Sequence, residues 1–383
     1  MNYLDYAASM PMTEKALATY IKVATDFAAN PSSPHDAGNK AALLVEQSRQ
    51  KMAQYLNINP DGVYFTGSGT EGNIIAIMSI ARALANRGKG KHIITTMAEH
   101  TSVHAAFNSL EIEGFKVTKL PLTEEGIVSL TALKEAISEE TILFSIQHVN
   151  SEIGSIQPIE AIAQFASQQG IRLHVDCVQS FGKLPIDTFS NIVDAMTFSA
   201  HKIGGPKGCG AIYINPRCPV QPLFPGLTHE KSLRGGTIDT PAVVAFAVAL
   251  QQSQGEQITD RHWTFRKRMQ EAFKGTNCTF VEAPWQLQFP SVCGMRILGM
   301  EGQLVMLKLN ELGIYISTGS ACDVNSASGT KAILAMGYDI DEARQFFRVS
   351  FGPSTTEEDI EYLIQALLQI TEESNHKNSK SVH

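Results

Sequence analysis

The sequence predicts an α/β protein in which a mostly parallel sheet, covered by helices, is followed by a smaller α+β unit. From about residue 60 to 215, short β-branched and apolar runs alternate with segments of helical periodicity. From about residue 260 the chain changes to a mixture of helices and fewer strands. Strands that alternate with helices usually form a parallel sheet with both faces covered. We therefore expect that architecture for the first part of the chain.

The predicted strands of the first part are short. They cover residues 63–66, 92–96, 141–146, 171–175, 195–198 and 211–214, and an apolar helix is predicted over 73–85. Ligands of such sheets gather at the carboxyl ends of the strands. Asp176, Lys202 and the turn from Gly67 to Gly72 come at or just after such ends. The sequence therefore predicts one site shared by these three segments.

The second part follows a predicted helix over about 241–252. There the sequence predicts strands over 293–298 and 346–350 and helices over about 302–312 and 356–370. We expect three regions along the chain: a large domain over residues 15–255, a small domain made of 1–14 and 256–372, and a tail over 373–383. The tail is polar and lacks periodicity, which predicts no regular structure.

Composition limits the classes of partner. The chain has 383 residues, of which 43% are hydrophobic, so that it can bury a large core. A formal net charge of −7 at pH 7, without long Lys/Arg runs, argues against nucleic acid or a membrane surface as the partner. The six cysteines form no Cys-x-x-Cys pair, which favours a reducing compartment and predicts no metal site. With no signal-peptide pattern and no membrane-length apolar run, we expect a cytoplasmic protein that acts on a small molecule.

The strongest chemical signal is the run Ser199-Ala200-His201-Lys202, followed by a glycine-rich turn. A lysine in such a setting, with an acidic residue nearby, is typical of a site for an aldehyde cofactor with a ring nitrogen. Asp176 is suited to hold the positive charge of that nitrogen, and Gln179 is placed to reach the ring hydroxyl. The alternatives are a surface lysine after a strand and an aspartate that caps the following turn.

Two further segments fit the same site. Gly67-Ser68-Gly69-Thr70-Glu71-Gly72 follows a strand and opens a helix, which predicts an anion site suited to phosphate. It matches the dinucleotide fingerprint, but the next strand does not end in the acidic residue that dinucleotide binding requires. His100 follows another strand and could lie flat on a ring. A plain structural turn and a structural histidine are the respective alternatives.

Cys322 and Arg348 are the candidate residues of the second part. Cys322 lies in a run of small and polar residues, Ser317 to Gly329, which predicts an exposed thiol on a mobile loop. Arg348 interrupts a predicted strand, and its planar cation suits a substrate carboxylate. A structural ion pair is the alternative for Arg348.

These motifs together resemble the cysteine desulfurases of the NifS/IscS kind, which belong to the class V aminotransferases and have the fold of type I pyridoxal-phosphate enzymes. The resemblance covers nearly the whole chain. It is carried by Tyr3-Leu4-Asp5-Tyr6-Ala7-Ala8, Asn30-Pro31-Ser32-Ser33, Thr70-Glu71, Glu99-His100, Asn150-Ser151-Glu152-Ile153-Gly154, His174-Val175-Asp176, the lysine segment, Arg234-Gly235-Gly236-Thr237 and Gly319-Ser320-Ala321-Cys322. It implies a mostly parallel, seven-stranded sheet in the large domain.

The resemblance also implies a role for each site residue. Pyridoxal 5'-phosphate would be bound covalently by Lys202, with Asp176 on its ring nitrogen, Gln179 near its ring oxygen and His100 stacked on the ring. Its phosphate would be held by Gly69, Thr70, Ser199, His201 and, from the partner subunit of a homodimer, Thr237, while Asn150 and Ser151 would lie near the cofactor oxygen. Arg348 would bind the carboxylate of L-cysteine. Cys322 would take the sulfur as a persulfide, leave alanine, and pass the sulfur to an iron–sulfur scaffold, a thiolation enzyme or a target apoprotein.

The sequence departs from the family pattern at several positions. Ser151 replaces a usual asparagine, Ser9-Met10 replaces a usual Thr-Thr, and Asp323 follows the cysteine, where its charge would raise the thiol pKa. A selenocysteine lyase, or a kynureninase-like or aminotransferase-like enzyme, is the alternative within the fold. Such enzymes would not need Cys322. A non-catalytic scaffold is the alternative from another class, and it would require a broken site.

Overall fold

The computed structural model describes residues 2–253, 260–318 and 330–380. In chain order its strands are β1 (Asn2–Tyr3), β2 (Val63–Thr66), β3 (His92–Thr96), β4 (Lys116–Leu120), β5 (Thr141–Gln147), β6 (Arg172–Asp176), β7 (Ala195–Ser199), β8 (Gly210–Ile214), β9 (Cys278–Val281), β10 (Val292–Ile297), β11 (Ile314–Tyr315) and β12 (Phe346–Ser350). The helices are α1 (Glu14–Asp26), α2 (Asp36–Leu56), α3 (Gly69–Asn86), α4 (Thr101–Ile112), α5 (Leu130–Ala136), α6 (Ile159–Gln169), α7 (Thr240–Ser253), α8 (Asp260–Ala272), α9 (Gly302–Glu311), α10 (Lys331–Ala335), α11 (Ile340–Arg344) and α12 (Glu357–Lys380).

The large sheet has seven strands in the order β2-β8-β7-β6-β5-β3-β4. The pairs from β7 to β4 are parallel, and β8 is antiparallel to both of its neighbours. Every residue of β5 and β7 is buried, as expected for strands covered by helices on both faces. This confirms the predicted α/β fold with a mostly parallel seven-stranded sheet. It also brings the carboxyl ends of β3, β5, β6 and β7 to one edge.

A second, antiparallel sheet of order β12-β10-β9 has its own apolar core. The N-terminal strand β1 pairs with β11, and Leu4 is buried among residues of this second core, including Met295 and Phe347. The start of the chain therefore packs with the C-terminal part. The domain bounds stay a prediction, since the expected boundary at 255/256 lies outside the described residues.

Some elements differ from the sequence-based expectation. Strands β4 and β9 were not predicted; residues of both are partly exposed, which weakens the apolar pattern. The prediction that residues 373–380 lack regular structure is wrong, because α12 continues to Lys380. Residues 371–380 contain neither glycine nor proline, and extending an existing helix costs far less than nucleating one.

Candidate active site

A cavity of about 180 Å³ opens at the carboxyl ends of the central strands, beside the first turn of α3. Most of the predicted site residues line it: Gly69, Thr70, His100, Ser151, Asp176, Gln179, Ser199, His201, Lys202 and Arg348. They come from the large sheet, from its loops and from β12 of the second sheet. The fold thus brings together residues that are as far apart in sequence as Gly69 and Arg348.

The first turn of α3 forms one wall of the cavity. Ser68 caps the helix by accepting a hydrogen bond from the Glu71 amide at 3.1 Å. A Cβ atom at Gly69 would lie 2.8 Å from Val178 Cγ2, so that only glycine allows this close approach of α3 to the segment after β6. The N-terminus of α3 faces the cavity with its backbone amides and with the positive end of the helix dipole. Both favour an anion.

Asp176 lies at the end of β6 and is held by two hydrogen bonds. Asn73 donates from Nδ2 to Asp176 Oδ2 at 2.8 Å, and the Val178 amide donates to Oδ1 at 3.0 Å. Asn73 Nδ2 also lies 2.9 Å from Ser102 Oγ, which is 2.7 Å from His100 Nδ1. A chain of hydrogen bonds therefore fixes the carboxylate relative to the His100 ring. This arrangement suits a ligand cation at the carboxylate, with the imidazole on the ligand face.

Lys202 lies in the short turn after β7, between the two sheets. Its Nζ donates to the carbonyl oxygens of Ala7 and Ala8, the second at 2.9 Å. Gln179 also donates to the Ala7 carbonyl, at 2.8 Å, and its Oε1 atom is buried without a partner in the described part of the chain. A buried acceptor without a hydrogen bond destabilises the fold. We therefore infer that Gln179 Oε1 accepts a hydrogen bond from a bound ligand.

His201 lies beside Lys202 and Ser9, with its Nδ1 3.3 Å from Ser9 Oγ. Burial, followed by the charge of Lys202, lowers the pKa of His201 to about 4. The imidazole is therefore neutral at neutral pH, and it can donate or accept a hydrogen bond without adding charge.

Arg348 forms the wall of the cavity on the side of the second sheet. Its side chain is 2% exposed and donates to Asp5 Oδ1 at 2.7 Å and to the Ser151 carbonyl at 2.8 Å. Its Nε atom is buried without a partner among the described residues. Two contacts thus hold the guanidinium in place while part of its donor set faces the cavity, as binding of a carboxylate requires.

Two predicted residues do not line the cavity, and a third lies outside the part of the chain that the structure describes. Asn150 is buried and accepts hydrogen bonds from the Glu152 and Ile153 amides at 2.9 and 3.0 Å, because its side chain folds back on its own turn. Thr237 is exposed and does not line this cavity, and its contact across a subunit interface stays a prediction. Cys322 lies outside the described residues.

Three polar residues at the site were given no role from the sequence, although Glu99 belongs to a motif that carries the resemblance. Asn73 and Gln147 line the cavity, and Glu99 is buried beside them. Gln147 ends β5, so the rule of strand ends could have found it, whereas Asn73 carries no signal within an apolar helix. Burial raises the pKa of Glu99 to about 8, while hydrogen bonds from Thr96 and the Gln147 amide oppose that shift.

No helix in the described ranges is both long and apolar enough to cross a membrane. Among the residues that the structure describes, no group of three or more His, Cys, Asp or Glu side chains could hold a metal ion.

Comparison with known proteins gives a consistent result. The family model for aminotransferase class V matches residues 2–363. A NifS relative from Halalkalibacterium halodurans is 40% identical over 376 residues, covering 97% of this chain and 98% of its own. The cysteine desulfurase IscS of Dictyoglomus turgidum is 34% identical over 376 residues, covering 97% of this chain and 94% of its own. The solved structure of SspA in complex with cysteine has a TM-score of 0.81 and 31% identity, covering 93% of this chain and all (100%) of that one.

Proposed function

The chain belongs to the class V aminotransferase family, among its NifS-like cysteine desulfurases, and we propose that it uses pyridoxal 5'-phosphate to move the sulfur of L-cysteine onto Cys322 and then to an acceptor protein. The observation that carries this proposal is a single cavity that holds Lys202, Asp176 and Arg348 together. These three residues supply an amine, an anion for a ring cation and a cation for a substrate carboxylate.

The residues at the site fit pyridoxal phosphate. The first turn of α3, with Gly69 and Thr70, offers amides and space for a phosphate, and Ser199 lies 3.3 Å from the position of a Cβ at Gly69. At the other end, Asp176 would hold the ring nitrogen. The unpartnered Gln179 Oε1 provides a hydrogen-bonding group beside the ring. When bound, the cofactor withdraws electrons from the bonds at the substrate α-carbon.

The chain's own residues then have distinct tasks. Arg348 binds the substrate carboxylate and fixes the substrate amine toward Lys202. Lys202 is placed to take the proton from the α-carbon and later to return a proton to the product. Asp176 keeps the ring nitrogen protonated because its carboxylate stabilises that positive charge in a buried setting. The neutral imidazole of His201 adds a hydrogen bond without adding charge.

Sulfur transfer requires Cys322 as the acceptor. The Cys322 thiolate attacks the substrate sulfur, a sulfur–sulfur bond forms, and the carbon–sulfur bond breaks with its electron pair on the β-carbon. That carbon takes up a proton, so alanine leaves and the enzyme keeps a persulfide. The five described thiols do not suit this task, because they are buried, and burial raises the pKa of Cys209, Cys218 and Cys278 to about 12 and that of Cys293 to about 11.

The proposal also covers the oligomeric state, the cellular compartment and the sulfur acceptor. We expect a homodimer in which Thr237 of each subunit contributes to the partner's phosphate site, which agrees with its exposure away from the cavity of its own subunit. We also expect a reducing, cytoplasmic setting and a protein acceptor, such as an iron–sulfur scaffold, a thiolation enzyme or a target apoprotein. The acceptor's chemistry must be that of a nucleophilic thiol, because a persulfide passes its outer sulfur to one.

The test is the visible absorbance of the purified protein before and after addition of L-cysteine, with alanine and sulfide measured for wild type and Cys322→Ala. We expect a cofactor band, and alanine formation that collapses in the variant. Cys218→Ala, which removes a buried thiol, is the matched control and should keep turnover. Alanine formation that survives Cys322→Ala would assign the sulfur step to another group, and a protein without the cofactor band would contradict the proposal.

A further inference from the structure

A second cavity, of about 430 Å³, lies next to the active-site cavity and shares Ala7, Gln179 and Lys202 with it. It is formed where the N-terminal segment, the turn after β6 and the second sheet meet. The proposed function does not use this space. Its lining combines cationic groups with an apolar wall, and the lining residues that the structure describes include neither Asp nor Glu.

Lys183 is the central cation of this second cavity. It follows Gly182, whose φ of +71° places it in the left-handed region that favours glycine. A Cβ at Gly182 would lie 3.0 Å from Ile203 Cγ2, so the turn before Lys183 packs directly on the residue that follows Lys202. This close approach sends the Lys183 and Lys202 side chains into the same space.

The Lys183 ammonium forms no ion pair and no hydrogen bond with any other residue that the structure describes. It is partly buried, and burial, followed by the charge of Lys202, lowers its pKa to about 7. A lysine in this state has lost hydration without gaining a partner. An anion bound beside the Lys183 ammonium would compensate for the lost hydration.

The surroundings define the kind of anion. Phe289, Val292 and Phe351 are buried and give an apolar wall, and the exposed Arg261 lies at the rim, where it donates to the Pro353 carbonyl at 2.7 Å. Apart from Lys183, Lys202 and Arg261, the titratable groups described in this lining are uncharged at neutral pH: burial lowers the pKa of His262 to about 4, and burial raises the pKa of Tyr6. Among the described residues of this wall, no group opposes a negative charge, and the apolar side fits a short hydrocarbon chain.

We propose that the second cavity is a binding site for a small organic carboxylate, with the carboxylate beside Lys183 and the hydrocarbon part against Phe289, Val292 and Phe351. The site is separate from the substrate-carboxylate position at Arg348, which faces the first cavity. Because Lys202 lines both cavities, an anion at Lys183 also changes the charge felt by the Lys202 amine. Binding there would therefore alter the active site without competing for Arg348.

The experiment uses butyrate as the probe and the purified full-length holoenzyme. Binding is followed by saturation-transfer NMR of the butyrate methyl groups and by the change in the cofactor's visible absorbance. We expect binding that weakens at least tenfold in Lys183→Met, is retained in Lys183→Arg and is unchanged in Arg348→Lys. Affinity should also fall as pH rises above about 7, since Lys183 then loses its charge.

Three controls separate the possible outcomes. Lys207→Met removes an exposed lysine that does not line the second cavity and should leave butyrate binding unchanged, and butylamine, a cation of the same length, should not bind. Loss of butyrate binding in Arg348→Lys rather than in Lys183→Met would overturn the proposal, and so would no binding up to the highest soluble concentration. A preparation that lacks the cofactor band fails the proposed function instead, while the NMR measurement still tests the second cavity.

Discussion

The Glu152 carboxylate accepts a hydrogen bond from the Ala332 backbone amide at 2.8 Å. The two residues are 180 positions apart in sequence. Glu152 follows Ser151, whose carbonyl holds Arg348, and Ala332 lies in the first turn of α10. On the other side of the Cys322 segment, Ser317 exchanges backbone hydrogen bonds with Arg348 at 3.2 and 2.7 Å. Both flanks of the predicted sulfur-carrying segment are therefore tied to the Arg348 region.

From this arrangement we predict that Glu152→Ala slows persulfide formation on Cys322 by about tenfold, the effect of losing one buried hydrogen bond. Glu152→Gln keeps an acceptor oxygen and should stay within a few-fold of wild type. The measurement is single-turnover persulfide formation followed by mass spectrometry, with the cofactor absorbance recorded in parallel. Equal rates for the alanine variant and wild type would show that this contact has no part in sulfur transfer.

For Arg348→Lys we predict a loss of about 10²-fold in kcat/KM for cysteine, mainly through KM. Lysine keeps the positive charge but lacks the planar guanidinium. That group can bind Asp5 and Ser151 and at the same time face the substrate. Steady-state alanine formation over a range of cysteine concentrations separates the effect on kcat from the effect on KM. Arg344→Lys, on the exposed helix α11, is the control. A fall in kcat at unchanged KM would contradict the carboxylate role.

For Asp176→Asn we predict a loss of about 10²- to 10³-fold in alanine formation. An amide cannot stabilise a protonated ring nitrogen, and its single oxygen can accept from only one of Asn73 and Val178, which donate to different oxygens of the Asp176 carboxylate. Asn73→Ala removes a positioning contact and should cost only about tenfold. Alanine is assayed at matched cofactor content, read from the absorbance. If both variants lost activity equally, the carboxylate charge would not be the deciding feature.

Glu99 predicts a specific pH dependence of stability. Its pKa is raised from 4.5 to about 8 in the fold, so between these values the native state holds a proton that the unfolded chain has released. The contribution of Glu99 to the free energy of unfolding is therefore present at low pH and falls as pH rises through this window. Glu99→Gln removes that dependence. The difference in the free energy of unfolding between the variant and wild type should thus shift in favour of the variant as pH rises.

The measurement is urea unfolding of wild type and Glu99→Gln at pH 6.5 and 8.5. This range avoids the buried histidines, since burial lowers the pKa of His148 and His174 to about 4 and their effect on stability ends near pH 6.5. A difference between the two proteins that is the same at both pH values would contradict the raised pKa of Glu99.

Much of the site could be predicted because it follows strand ends. Asp176 ends β6, the Lys202 turn directly follows β7, and the Gly69 turn follows β2, so the local order of strand, turn and polar residue indicates their position. Asn73 and Glu99 could not be found in this way. An asparagine in an apolar helix and a glutamate before a helix look the same whether they face a site or a structural turn.

By itself, the sequence determined the α/β class, the mostly parallel sheet and the residue types that carry the chemistry, because hydrophobic periodicity and strand-end motifs are local properties of the chain. Only the tertiary structure decided that Arg348 is held by Asp5 and Ser151, that Asn150 turns away from the cavity, and that Lys183 faces the same space as Lys202. These relationships depend on how the second sheet and the N-terminal segment close against the large sheet. Contacts between segments hundreds of residues apart leave no periodic signal in one sequence.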